Sequence, residues 1–103
     1  MRISDQQKKA ILESVAAELG ADARVFLFGS RVDDTKRGGD IDLFVEIPFK
    51  IDNIVRKKLR ILSQIQRRIG EQKIDLIITY LGEFSEENLP LVIKNAQQDG
   101  ILL

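Results

Sequence analysis

Three short apolar runs limit what this chain can fold into more than any other feature. Arg24 to Phe28 reads RVFLF and stops at Gly29-Ser30. Asp40 to Ile47 reads DIDLFVEI and stops at Pro48. Lys73 to Thr79 reads KIDLIIT, with a lone carboxylate inside it. Runs this short, bounded by glycine and proline, are strands rather than helices, and the first and third are expected to be buried. The middle one alternates polar and apolar residues in its first half, so its two faces differ.

The segments around these runs carry helical periodicity. Ser4 followed by Gln7 is a capping box. Ile11, Val15 and Leu19 repeat every fourth residue up to Gly20, which predicts a helix over about 5–19. Residues 52–69 predict the longest helix. Ile51, Val55, Leu59, Leu62, Ile65 and Ile69 form its apolar stripe, and Arg56, Lys57, Lys58, Arg60, Arg67 and Arg68 lie mostly off it as a solvated face. A last helix runs from about Pro90 to Gln98, led in by Ser85 to Asn88, before Asp99-Gly100 turns the chain into a terminal ILL. Residues 31–39 are polar and glycine-rich, a short helical turn and then a loop. The order is α-β-α-β-α-β-α with a short final strand. With no repeat, linker or shift in composition, residues 1–103 read as a single domain.

Composition narrows the chemistry. There is no cysteine and no histidine, which excludes disulfides, thiolate zinc sites, Ser-His catalysis and a His general base. Catalysis has to run on carboxylates, Lys, Arg, hydroxyls and a bound ion, and a cation held only by carboxylates is Mg²⁺ or Mn²⁺. Sixteen basic and sixteen acidic residues leave no net charge, so no field draws nucleic acid onto the whole surface. The charged N-terminus and the lack of a long apolar run predict a soluble, cytoplasmic protein with no membrane association.

Within that frame the candidate site is built from the punctuation of the strands. Asp40 and Asp42 at i and i+2 of a strand share one face, with Cα atoms roughly 6.5–7 Å apart. Two adjacent bare carboxylates repel unless a cation lies between them. Ile41 and Leu43 face the other way and anchor the strand. Asp75 sits among Ile74, Leu76, Ile77 and Ile78, where an unpaired carboxylate would cost several kcal/mol if buried. A strand placed beside Asp40 and Asp42 brings it into the same site, a metal-binding arrangement suited to in-line attack at phosphorus. Gly29-Ser30 supplies backbone N–H groups and a hydroxyl for a phosphate. Arg31, Lys36 and Arg37 are near enough in sequence to balance its charge. Each feature alone has a plainer reading: a turn, a solvated strand edge, a salt-bridge partner. Their combination at this spacing favours the site.

The stretch FLFGSRVDDTKRGGDIDLFVE over residues 26–46, followed by KIDLIIT, resembles the minimal nucleotidyltransferases of the DNA polymerase β superfamily. That resemblance covers nearly the whole chain. It implies a small α/β (α+β) fold with a mixed sheet and helices mainly on one face. It implies Asp40, Asp42 and Asp75 as catalytic metal ligands, and Gly29, Ser30 and Arg31 as the triphosphate contacts. Nine residues separate Ser30 from Asp40, one fewer than in the common antitoxin form of the family. Small stand-alone members resemble antitoxins encoded beside a helical HEPN ribonuclease toxin, which they silence by moving AMP from ATP onto a tyrosine hydroxyl. The implied protein is a Mg²⁺-dependent protein adenylyltransferase working in a homo- or hetero-oligomer. Roughly 100 residues hold the metal and triphosphate half of a site, so the acceptor surface is expected from a partner or a second copy. The alternative is a binding module that keeps the fold and neutralises its partner by contact. Transfer to a small molecule such as an aminoglycoside is the third reading, set back by the lack of a substrate domain.

Overall fold

The computed structural model describes residues 3–29 and 40–103. The expected turn and loop at 31–39, and with them Ser30, Arg31, Lys36 and Arg37, lie outside the described residues. The elements run α1 (Asp5–Leu19), β1 (Arg24–Phe28), β2 (Ile41–Ile47), α2 (Ile54–Ile69), β3 (Ile74–Tyr80), a 3₁₀ turn (Glu86–Asn88), α3 (Leu91–Asp99) and β4 (Ile101–Leu102). Among the described residues these strands form one sheet of order β3-β2-β1-β4. It is mixed: β2 pairs antiparallel with β1 and parallel with β3, and β4 closes antiparallel on β1.

Local chemistry explains where the helices begin and end. The Ser4 side chain accepts from the Gln7 N–H, and the Gln7 side chain accepts from the Ser4 N–H, so the capping box is closed on both sides. Gly20 and Gly70 end α1 and α2, each returning its N–H to a carbonyl four residues back. Gly100 ends α3 where a Cβ would lie 3.2 Å from Phe26 Cβ and collide with the Ala96 carbonyl, so only glycine lets the helix turn this tightly into β4.

Alternation along the strands separates two apolar clusters. Ile41, Leu43, Val45 and Ile47 of β2 join Val25 and Leu27 of β1 and Leu76 of β3, and bury against Ile11 and Val15 of α1 and Ile61 and Ile65 of α2. The opposite face carries Phe44, with Phe26, Phe28 and Ile77, against Ile93 and Ala96 of α3. Two helices therefore cover one face and one covers the other. Phe26 and Phe44 meet with ring centroids 5.8 Å apart.

Two sequence expectations need correction. Val55 and Leu59, placed on the apolar stripe of α2, are 68% and 62% exposed, and Ile61 and Ile65 are the buried pair. The helix begins at Ile54 and turns toward α1 by its basic residues as well as its apolar ones. Arg68 pairs with Glu13 at 2.7 Å, Arg60 lies 3.7 Å from Glu18, and Lys57 donates to the Glu18 carbonyl. Burial of Ile61 and Ile65 in the main cluster fixes the rotation of α2, and these contacts at its flank accompany it. The second correction is that β3 is the sheet edge. Its pattern is half buried, and Asp75 is exposed.

Candidate active site

The site is built by register. In the parallel pair, Asp42 of β2 stands directly beside Asp75 of β3. In the antiparallel pair, Asp42 stands opposite Phe28, the last residue of β1, so Gly29 follows at the same end of the sheet. Strand alternation puts Asp42 and Asp75 on the face of Phe44 and Ile77, the side covered farther along by α3. The start of β2, the start of β3 and the end of β1 thus meet at one end of the sheet, with α3 beside them.

Gly29 is required here. Its φ of +75° belongs to the left-handed region, and a Cβ built on it would collide with Asp42 Oδ2 and lie 3.1 Å from Asp42 Cγ. The strand end therefore makes room for the Asp42 carboxylate. That carboxyl is raised to about 6, first by burial, then by the hydrogen bond it shares with Asp75 and by the charges of Asp75 and Asp40, with Lys73 opposing. The desolvation penalty that the sequence assigned to Asp75 thus falls on Asp42, because β3 lies at the edge and β2 is interior.

Asp40 immediately precedes β2 rather than lying within it. Its Oδ2 is 3.4 Å from Lys73 Nζ, across the extension of the same parallel register. Main-chain pairing reaches that far, since the Ile41 N–H donates to the Lys73 carbonyl at 3.0 Å. The structure brings Asp42 and Asp75 together and gives Asp40 an ammonium partner. Among the described residues no group of three His, Cys, Asp or Glu side chains is arranged to hold a metal ion. Lys73 is the residue that sequence reasoning missed. Its signal was its place two residues before Asp75, matching the place of Asp40 before Asp42 in a parallel pair.

The Asp42–Asp75 pair is a hard-oxygen donor set. Below about pH 6 a proton on Asp42 relieves the repulsion, and a divalent ion would relieve it above that pH. Such a pair fits Mg²⁺ and does not fit zinc, for which neither cysteine nor histidine is present in the chain.

A family model described as nucleotidyltransferase domain matches residues 8–103, from the first turn of α1 through β4. No curated protein matches the chain. Among the described residues no helix is long and apolar enough to cross a membrane.

Proposed function

Because the chain belongs to the nucleotidyltransferase domain family, we propose that its transfer reaction is centred on the Asp42–Asp75 pair, uses ATP with Mg²⁺, and places AMP on a hydroxyl of a partner protein. The single observation that carries this reading is the register of β2 and β3. It sets two carboxylates side by side at a sheet end bounded by a glycine that leaves room for them.

Asp42 and Asp75 would hold the divalent ion, with Asp40 as the third ligand, and Mn²⁺ would serve in place of Mg²⁺. When bound, the ion supplies charge neutralisation at the triphosphate and lowers the pKa of the attacking hydroxyl. Gly29, Ser30 and Arg31 would hold the triphosphate through backbone N–H groups, a hydroxyl and a guanidinium. Asp75, exposed on the edge strand, faces the incoming hydroxyl and takes its proton. The hydroxyl oxygen then bonds to the α-phosphorus, the bond to the bridging oxygen breaks, and pyrophosphate leaves. The resemblance of residues 26–46 and 73–79 to antitoxin nucleotidyltransferases supports a helical HEPN-type ribonuclease as the acceptor, modified on tyrosine.

One observation favours a second reading, in which the protein neutralises its partner by contact. The Asp40–Lys73 pair occupies a carboxylate that the catalytic reading needs. ATP labelled at the α- or the γ-phosphate separates the two. Nucleotidyl transfer puts only the α label on the partner. Neutralisation of the partner with neither label retained would establish the contact reading.

A further inference from the structure

A cleft of about 350 Å³ opens beside the carboxylates, lined by Phe28 and Gly29 of the β1 end and by Val92, Asn95 and Asp99 of α3. Val92, Asn95 and Asp99 recur at helical spacing, so they form one stripe of α3, set off from the Ile93 and Ala96 stripe that packs on Phe44. Packing of the core stripe is therefore what fixes the cleft stripe over the end of β1. Core burial does not use these three side chains: Val92 is 47% exposed, and Asn95 and Asp99 are exposed.

We infer that this cleft is the nucleoside subsite, holding the base and ribose of the nucleotide whose phosphates lie at Gly29. The inference rests on the nucleotidyltransferase reading of the carboxylate site and adds to it the residues that select the nucleoside. Three features argue for this occupant. The cleft begins at Gly29, so a nucleoside joined to phosphates at that residue extends directly into it. Its volume is at the lower end of small-ligand pockets, enough for a base and a sugar. Its walls are apolar at Phe28 and Val92, suiting the flat face of a base, while Asn95 offers a donor and an acceptor together. An amide of this kind pairs with an adenine edge through two hydrogen bonds. The Asp99 carboxylate accepts from a ribose hydroxyl, which sets the direction in which the nucleoside lies.

The test is calorimetric titration of ATP and of inorganic tripolyphosphate, each with Mg²⁺, into the wild type and the Asn95→Ala and Asp99→Ala variants. Both substitutions are on exposed positions, and melting curves confirm that the variants fold. The inference predicts that each variant binds ATP about tenfold more weakly, the cost of one lost hydrogen-bonding partner. Tripolyphosphate binding stays at the wild-type value, because it does not reach α3. Unchanged ATP affinity in both variants, with tripolyphosphate still bound, overturns the subsite and leaves the carboxylate site standing. A raised KM for the acceptor with unchanged ATP affinity also overturns it, giving the cleft to the acceptor. Failure of the wild type to bind either ligand sinks the nucleotidyltransferase reading, and the subsite with it.

Discussion

Gly29 and Asp42 define each other's geometry. Replacing Gly29 by alanine forces a side chain into the left-handed region and drives its Cβ onto the Asp42 carboxylate. Strain of that kind costs about 1–3 kcal/mol, and the carboxylate has to move away from Asp75 to relieve the collision. Gly29→Ala is expected to lower stability by that amount in denaturant titration and to weaken ATP binding in the same samples. Asp42 makes a second prediction through its raised pKa. Its carboxyl titrates near 3.9 when unfolded and at about 6 when folded, so between those values the native state holds a proton that the unfolded chain releases. The stabilisation is complete below about pH 4 and is lost as pH rises through about 6. In chelator at pH 8, Asp42→Asn is expected to be more stable than the wild type by about 1 kcal/mol, a figure kept low because the group is partly open to water. Relative to Asp42→Asn, the wild type should lose stability between pH 4 and 7. Thermal melts across pH check this, and equal slopes in the two proteins would contradict the raised carboxyl that burial and Asp75 give Asp42. Gly29, Asp42 and Asp75 were all legible as candidates in the sequence. Which carboxylate bears the desolvation was not, because that depends on which strand is the edge.

At the scale of elements, strand runs and helix caps were legible because their signals are local. The Ser4–Gln7 box, the glycine stops and the apolar runs each lie within a few residues of the feature they determine. The rotation of α2 was not legible. Its sequence offers two overlapping apolar stripes, one through Val55 and Leu59 and one through Ile61 and Ile65, sharing Ile65. Packing against α1 and the sheet, which buries Ile61 and Ile65 completely, selects the second, with Arg68–Glu13 and Lys57 to the Glu18 carbonyl at its flank. The two stripes make opposite predictions. Ile61→Ala removes a fully buried side chain from the cluster shared with α1 and the sheet and should cost about 2–5 kcal/mol. Leu59→Ala, at a largely exposed position, should stay within about 0.5 kcal/mol of the wild type. Chemical denaturation of the two variants decides between the stripes, and a larger cost at Leu59 would contradict the rotation described. Sheet order was also beyond local reading. A parallel β2–β3 pair needs a crossover, and α2 is the element that supplies it.

At the scale of the molecule, the candidate site lies at one end of the sheet and the two apolar clusters lie on its opposite faces. The family match from residue 8 to residue 103 takes in the elements that form both clusters. On the reading proposed above, a partner protein supplies the acceptor hydroxyl, and Asp42 and Asp75 carry the transfer. Intact mass of the proposed helical partner after incubation with ATP and Mg²⁺ tests that reading most directly. With the wild type, the partner is expected to gain one AMP mass, or a few, with release of matching pyrophosphate. Asp42→Ala should leave the mass unchanged. Asp75→Asn should bind ATP yet transfer at a rate lower by at least about a hundredfold, the scale of a lost proton acceptor. A partner that gains the same mass with wild type and Asp42→Ala, or gains none with the wild type while still being silenced, would contradict the account.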